Sequence, residues 1–470
     1  MLWIYIDRSL NIALKKQVYE QIRTRILQGE LTAGYRLPPS RELADQLCVS
    51  RNVIVEAYEQ LLAEGYVEGK QGSGTYVAQG VYLEYDLKEK PVSFWEIESK
   101  KEEDQDRIDF RSGIPALNQF PKKEWSKLAK EVCEEATDSI FGYDNPEGRY
   151  ELRHVLSRYL KRTRGVHCHP DQLVITSGAT QALSLIANMF LSSNKTVVIE
   201  DPITYEIQTI FSSTGANLCP IPVDQNGIRT DLIPVDRKPG FIFVTPSHQF
   251  PLGSILPIQR RIQLIQFARK FDTYIVEDDY DSEFRYGGEP ISSLQGLDPE
   301  RVIYIGSFSK ILSPALRIGY LILPAILTQR CRQLKWHFDL HTPSLDQSAL
   351  ARFIHNGSLD RHIRRMRKLY LRRRKSLHSC LQESFGDHVS ISGDATGLHL
   401  IAEFDNVEFN ESLLRDILQH KVKIYPVEHH AIQKGHHRNK IILGYGNLTE
   451  EQIQEGVYRM KQALKNVCTI

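Results

Sequence analysis

In "YIGSFSKILSPALRIGYLI", residues 303–321, one lysine, Lys310, stands among small hydroxyl residues and precedes an arginine. A lysine in an environment that lowers its pKa is a nucleophile, and with an aldehyde it forms an imine. Its company decides whether that chemistry is intended. Ser307, Ser309 and Arg317 flank it and suit a phosphate. "SGATQAL", starting at Ser177, lies between a strand pattern and a helical one, so the amides of Ala179 and Thr180, after Gly178, would cap an anion at a helix N-terminus. A phosphate site beside an imine-forming lysine points to pyridoxal phosphate. That cofactor also needs a carboxylate to keep its ring nitrogen protonated. "YIVEDDYDSEF" offers Asp278 for this role and Tyr280 for the ring hydroxyl, and Tyr205 in "EDPITYE" offers a stacking ring. Each residue alone has an ordinary structural reading; their common chain order carries the argument.

Such residues need a scaffold that brings them to one place. From "IDFRSGIP" onward, helical patterns alternate with short β-branched runs: "QLVITSG", "KTVVIEDP", "GFIFVTPS", "TYIVEDDY" and "RVIYIGSFS". That rhythm predicts an α/β domain with a mostly parallel sheet, and the marked residues follow strand ends, where such sheets bind ligands. The arginine-rich run at 361–375 reads as the solvated face of a long helix, with Ile363, Met366 and Leu369 or Tyr370 inward.

Ahead of it lies a different block. "LKKQVYEQIRTRILQG" puts Val18, Ile22, Ile26 and Leu27 on one helical face; "SRELADQL" and "SRNVIVEAYEQLLAEG" start at Ser40 and Ser50 as caps; "YVEGKQGSGTYVA" reads as a hairpin. Helix, helix, turn, helix and hairpin make a winged helix-turn-helix. Its geometry assigns base edges to Ser50, Arg51 and Asn52, backbone phosphates to Arg36 and Arg41, and a close wing approach to Lys70, Gln71 and Gly72. The expected boundaries are 1–79 for this DNA-binding block, 80–107 for a linker ending in a charge run, and 108–470 for the α/β domain.

Composition sets the limits. A net charge of +1 excludes a global bias toward nucleic acid, so any DNA contact is local. The 7 cysteines are scattered, without paired metal-ligand spacing, so no metal site is expected. No membrane-length apolar run is present, and the chain reads as cytoplasmic.

The first seventy-odd residues closely resemble the GntR-type regulators through "RLPPSRELADQLCVSRNVIVEAYEQLLAEG" closed by "GSGTYV", departing at Pro39, Asn52 and Ile54. The rest, from about Ile108, resembles the fold-type I aminotransferases. The resemblance implies a major domain with a small C-terminal subdomain, Lys310 as the Schiff-base lysine, Asp278 on the ring nitrogen, Tyr280 on the ring hydroxyl, Tyr205 stacked, and Ser177 to Thr180, Ser307, Ser309 and Arg317 around the phosphate. Tyr143 in "FGYDNPEGRYELR" matches the tyrosine that reaches a neighbouring subunit's phosphate site, which implies a homodimer. "TPSHQFPLG" replaces the usual asparagine-containing loop, with His248 and Gln249 as candidate contacts to the ring hydroxyl. The last strand, "NKIILGYGNL", lacks the arginine that aminotransferases use for the substrate carboxylate; only Arg438 and Lys440 lie just before it. Together the two resemblances describe the MocR-type (GabR-like) branch of the GntR regulators. They imply a regulator of a double-stranded DNA operator that senses a small amine, amino acid or vitamer, with a catalytically active aminotransferase as the alternative.

Overall fold

The computed structural model describes residues 4–10, 12–70, 72–81, 106–287, 290–393 and 395–465; Gln71 and most of the expected linker lie outside them. The chain divides into two compact units, Met1–Glu102 and Glu103–Ile470. Among the described residues no helix is long and apolar enough to cross a membrane.

The first unit holds helices α1 (Leu14–Leu27), α2 (Ser40–Gln46) and α3 (Arg51–Ala63), then strands β1 (Val67–Lys70) and β2 (Gly74–Val77), paired antiparallel. The expected face of α1 buries Val18, Ile22 and Ile26 against Leu43, Ile54, Leu61 and Val77, and Tyr19 completes it. Leu27, at the helix end, is only half-buried. The tight turn between α2 and α3 depends on Cys48 at φ 51° and on the Val49 amide donating to Ala44 O at 3.0 Å. Ser40 does not cap α2 as expected: Pro39, with its ring-fixed φ of −55°, takes the cap position and Ser40 is the first helical residue. Ser50 does occupy the cap of α3, but its side chain makes no capping hydrogen bond.

The second unit runs β3 (Ile108–Asp109), α4 (Lys122–Glu135), α5 (Tyr150–Arg164), β4 (Leu173–Thr176), α6 (Ala179–Phe190), β5 (Thr196–Asp201), α7 (Tyr205–Ser212), β6 (Asn217–Asp224), β7 (Gly227–Ile228) and β8 (Phe241–Val244). It continues through α8 (Ile258–Lys270), β9 (Tyr274–Asp279), β10 (Val302–Ser307), β11 (Gly319–Ile322), α9 (Ala325–Asp339), α10 (Ser344–His355) and α11 (Ser358–Phe385). The chain closes with β12 (Val389–Ser392), β13 (His399–Phe404), α12 (Glu411–Gln419), β14 (Val422–Lys423), β15 (Tyr425–Pro426), β16 (Lys440–Gly444) and α13 (Glu450–Leu464).

Eight strands form the large sheet in the order β4-β11-β10-β9-β8-β5-β6-β7. The run from β10 to β6 is parallel, and β11 and β4 join antiparallel at one side. Full burial of Phe241 to Val244 and Val302 to Ile305 explains why these strands read as unbroken apolar runs. A second sheet, β12-β13-β16-β15, is antiparallel and packs with α11 and α13 around Tyr370, Leu377, Leu400, Leu443 and Met460. Of the inward positions expected on α11, Ile363, Met366 and Tyr370 are buried and Leu369 only partly so. Arg373, in the arginine run, is also buried and donates to the Gly446 carbonyl, so that face is not wholly solvated.

Candidate functional site

Beyond the ends of β9 and β10 lies a cavity of about 570 Å³, lined by Ala179, Thr180, Asp278, Tyr280 and Lys310 from the expected set. Lys310 follows β10 by three residues and lies against Gly113, where an added Cβ would sit 2.8 Å from Nζ. Gly113 also has φ +72°, so both the turn and the close approach require glycine. Burial pushes the Lys310 ammonium below its ordinary pKa and Arg111 adds to the push, while Asp281 and Asp278 oppose it. The shift favours the neutral amine, the form that attacks a carbonyl.

Asp278 is 8% exposed, and its Oδ1 has no hydrogen-bond partner. Burial pushes its carboxyl up to about 7, with Asp279, Asp281 and Glu200 adding to the effect. A buried carboxylate without a donor is unfavourable, and a protonated ring nitrogen would supply that donor. The residues therefore fit pyridoxal phosphate at this position. Tyr280 Oη lies 3.1 Å from His248 Nδ1, which is 3.0 Å from each Asp281 oxygen. Burial alone would lower the His248 pKa, but the Asp281 carboxylate outweighs it and holds the imidazole above its ordinary value.

His399, its ring centroid 5.0 Å from that of His248, is pushed down to about 3 by burial and by His248. Ligand atoms of His248, Asp281 and His399 lie within 4.8 Å of one another, as a metal site would require. Their own bonds already engage the trio, His248 Nδ1 with Asp281 and His399 Nε2 with Pro251 O at 2.9 Å. Of the two loop candidates, His248 touches Tyr280, whereas Gln249 braces the loop through Pro202 O and Phe250 O.

On the expected phosphate side, Gly178 caps α6 without a side-chain hydrogen bond, leaving the first-turn amides of Ala179 and Thr180 for an anion. Ser177 is committed elsewhere: its amide donates to Gln181 Oε1 at 2.8 Å and its hydroxyl points to Asp339 Oδ2 at 3.4 Å. Asp339 in turn pairs with the fully buried Lys335 at 2.6 Å, which ties the loop to α9. Exposed Arg317 donates to Ser177 O at 2.7 Å, and Ser307 donates to Ser309 Oγ at 3.0 Å. Ser177, Gly178, Ser307, Ser309 and Arg317 are not among the residues that line the cavity.

The stacking assignment of Tyr205 is not met within the protomer, whereas that of Tyr143 concerns a neighbouring subunit. Tyr205 is 65% exposed and does not line the cavity; Thr204 caps a helix beginning at Tyr205, which turns that ring outward while Ile203, Thr204, Glu206 and Ile207 face in. Tyr143 is 87% exposed, on the surface. Neither Arg438 nor Lys440 lines the cavity, and they face Glu408 and Glu403 at 3.8 and 3.4 Å. The residue types and spacing left Arg111, Ser112, Gly113, Lys423, Tyr425 and His430 unmarked, because long-range pairing brings them to the wall. The glycine in "FRSGIP" was the one available signal.

The Asp278 value has a consequence for stability. A folded value near 7 lies above the unfolded one, so the contribution is fully present below about pH 4 and is lost as pH rises through about 7. Between about pH 5.5 and pH 8 the cofactor-free protein is expected to lose more Tm than its Asp278→Asn variant. Buried Glu200 and Glu277 and half-buried Glu283, also near 7, titrate in both proteins, and loss of the Asp278 charge beside Glu200 adds to the difference between them. Equal slopes in the two melting series would remove Asp278 as a titrating group.

In the first unit Arg36, Arg41, Ser50, Arg51, Asn52, Lys70 and Gly72 are all exposed; Gln71 lies outside the described residues. Ser50, Arg51 and Asn52 stand together at the start of α3, and Arg51 Nε lies 3.4 Å from Ser40 Oγ. Lys70 lies 3.6 Å from Glu68 and 5.0 Å from the Tyr76 ring centroid, on the hairpin. Lys70→Ala should weaken binding to all DNA sequences alike and lower the salt dependence, measured as the slope of log affinity against log salt; an unchanged slope would remove Lys70 from the phosphate contacts.

Residues 105–459 match the aminotransferase class I and II family, and residues 14–77 match the gntR family of bacterial regulatory proteins. The uncharacterized HTH-type transcriptional regulator YdeL of Bacillus subtilis is 37% identical over 98% of this chain and 99% of its own. The "Probable rhizopine catabolism regulatory protein MocR" of Rhizobium meliloti is 34% identical over 98% and 95%. Among solved structures, the Thermus thermophilus α-aminoadipate aminotransferase LysN, complexed with N-(5'-phosphopyridoxyl)-L-leucine, superposes with a TM-score of 0.71 at 28% identity, covering 77% of this chain and 93% of that one.

Proposed function

Because this chain belongs to the MocR-type branch of the GntR transcription regulators, with a helix-turn-helix unit and an aminotransferase class I and II domain, we propose that its second unit senses a small primary amine or amino acid through Lys310 and pyridoxal phosphate. The observation that carries the reading is the pairing of a lysine of lowered basicity with an orphaned, buried carboxyl in one cavity at a helix N-terminus.

When bound, pyridoxal phosphate supplies an aldehyde that condenses with amines and a ring that draws electrons away from the new bond. Lys310 is the resident amine. An effector amine that took the carbonyl carbon would hand its two N–H protons to the Lys310 nitrogen, which would leave as a free amine, so atoms and charge balance. Asp278 would accept a hydrogen bond from the protonated ring nitrogen, Tyr280, with His248 and Asp281 behind it, would hold the ring hydroxyl, and the α6 amides would hold the phosphate. Release of the Lys310 amine changes the charge and contacts in the cavity, which is the differential interaction a two-state regulator requires. In a homodimer, Tyr143 extends to the neighbouring phosphate site and the paired first units grip an operator of double-stranded DNA.

Purified protein loaded with pyridoxal phosphate should show a visible absorption band that borohydride fixes as a covalent adduct on Lys310, read by peptide mass. An adduct on another lysine, or none, overturns the assignment. The intact Lys310 and Asp278 pair also suits an aminotransferase. Following keto-acid product from the same loaded protein separates that reading, since turnover at a steady rate would make it an enzyme.

A further inference from the structure

We infer that Arg111 and Lys423 form an anion seat in the cavity, so that the effector is an amine that also carries an acid group; this rests on the sensing role of Lys310 proposed above. Among the described residues the cations lining the cavity are Arg111, Lys310 and Lys423. The side chains of Arg111 and Lys423 are exposed and make no ion pair or hydrogen bond among the described residues, and Lys423 Nζ rests 5.2 Å from the Tyr425 ring centroid. Of the cavity's acids, Asp281 is paired with His248 and Asp278 faces Lys310 and the ring position, which leaves Glu206 as the one exposed carboxylate in the wall.

The backbone delivers both cations together. β3 and β14 pair in parallel with Asp109 opposite Lys423, and the Phe110 amide donates to Lys423 O at 3.0 Å. The segment after β3 then crosses the end of β16, where the Gly444 amide donates to Phe110 O at 2.8 Å. A Cβ on Gly444 would lie 2.3 Å from Arg111 O and 2.6 Å from Ser112 Cα, so any other residue there would displace the segment. β16 itself supplies no cation to the cavity: Ile441, Ile442 and Leu443 are fully buried and Lys440 faces Glu403. The strand that lacks the expected arginine thus ends in the glycine that lets Arg111 lie across it. Asp109, the nearest acid in sequence, accepts from the Tyr425 hydroxyl at 2.9 Å, which fixes the neighbouring strands and occupies that carboxylate. An arginine and a lysine that line one cavity without an ion-pair partner among the described residues suit charge-assisted hydrogen bonds to a carboxylate or sulfonate.

The test titrates cofactor-loaded protein with straight-chain amino acids of about two to six carbons bearing the amine at the far end, and with the plain amines of matching length. The absorption band reports binding, and operator affinity by gel shift gives a second readout. At least one acid-bearing compound is expected to bind about tenfold or more tightly than its matching amine. The double variant Arg111→Gln with Lys423→Gln should lose that preference, the ratio of the two affinities falling to about one, while still binding plain amines, which shows that it is folded; because Arg111 also acts on Lys310, the ratio and not the absolute affinity is the readout. Equal affinity of both classes in the wild type, or a preference surviving in the variant, overturns the anion seat while leaving amine sensing intact. A band unmoved by every compound takes down the sensing reading and the seat with it.

Discussion

A Lys310→Ala protein is expected to bind its operator as the wild type does and to lose its response to amines entirely. Lys310 lies in the unit Glu103–Ile470, whereas the residues expected to read DNA lie in Met1–Glu102 around a core of their own. The side chain is not a core element: it borders a cavity and touches Gly113, so truncation enlarges a space already present. What disappears is the resident amine that an effector must displace. An effector shifts a two-state equilibrium only by its differential affinity for the two states, and without the exchange step that difference vanishes. Gel-shift titration of both proteins with the same amines decides the matter. A response of equal size in the variant would mean that sensing bypasses Lys310.

The second large effect is expected at the other end of the chain. Arg51→Ala should cost about 1 to 3 kcal/mol of specific binding and relax base preference at one operator position, because a guanidinium at the start of α3 suits the paired acceptors of a guanine edge. Arg51 is exposed and the one hydrogen bond of its side chain among the described residues, to Ser40 Oγ at 3.4 Å, is long, so the side chain can turn to a base without losing a strong contact. Binding measured against a panel of operator variants checks this. A uniform loss across the panel would make Arg51 a phosphate contact.

Much of this molecule was legible before any fold was known. Local periodicity set the three helices and hairpin of the first unit, because Val18, Ile22 and Ile26 recur at helical spacing and β1 and β2 flank a glycine-rich turn. The buried parallel strands β5, β8, β9 and β10 were visible as β-branched runs for the same local reason. β6 was not marked, since Pro220 and Pro222 break the strand signal; it is tolerated because it lies near the edge of the sheet. The order of Ser177, Asp278 and Lys310 along the chain pointed to one end of the sheet, because each lies at or just beyond the end of a strand.

Only the tertiary structure decided what each group can do there. The orphaned oxygen of Asp278 and the lowered basicity of Lys310 are products of burial, which no local pattern encodes. The exposure of Tyr205 follows from where its helix begins. Arg111 and Lys423 are 312 residues apart in sequence, and backbone pairing of β3 with β14, which sets Lys423 opposite Asp109, brings both to the wall of one cavity. Residue type and spacing report local geometry and strand ends, whereas desolvation and the meeting of distant charges are properties of packing, fixed only once the chain has folded.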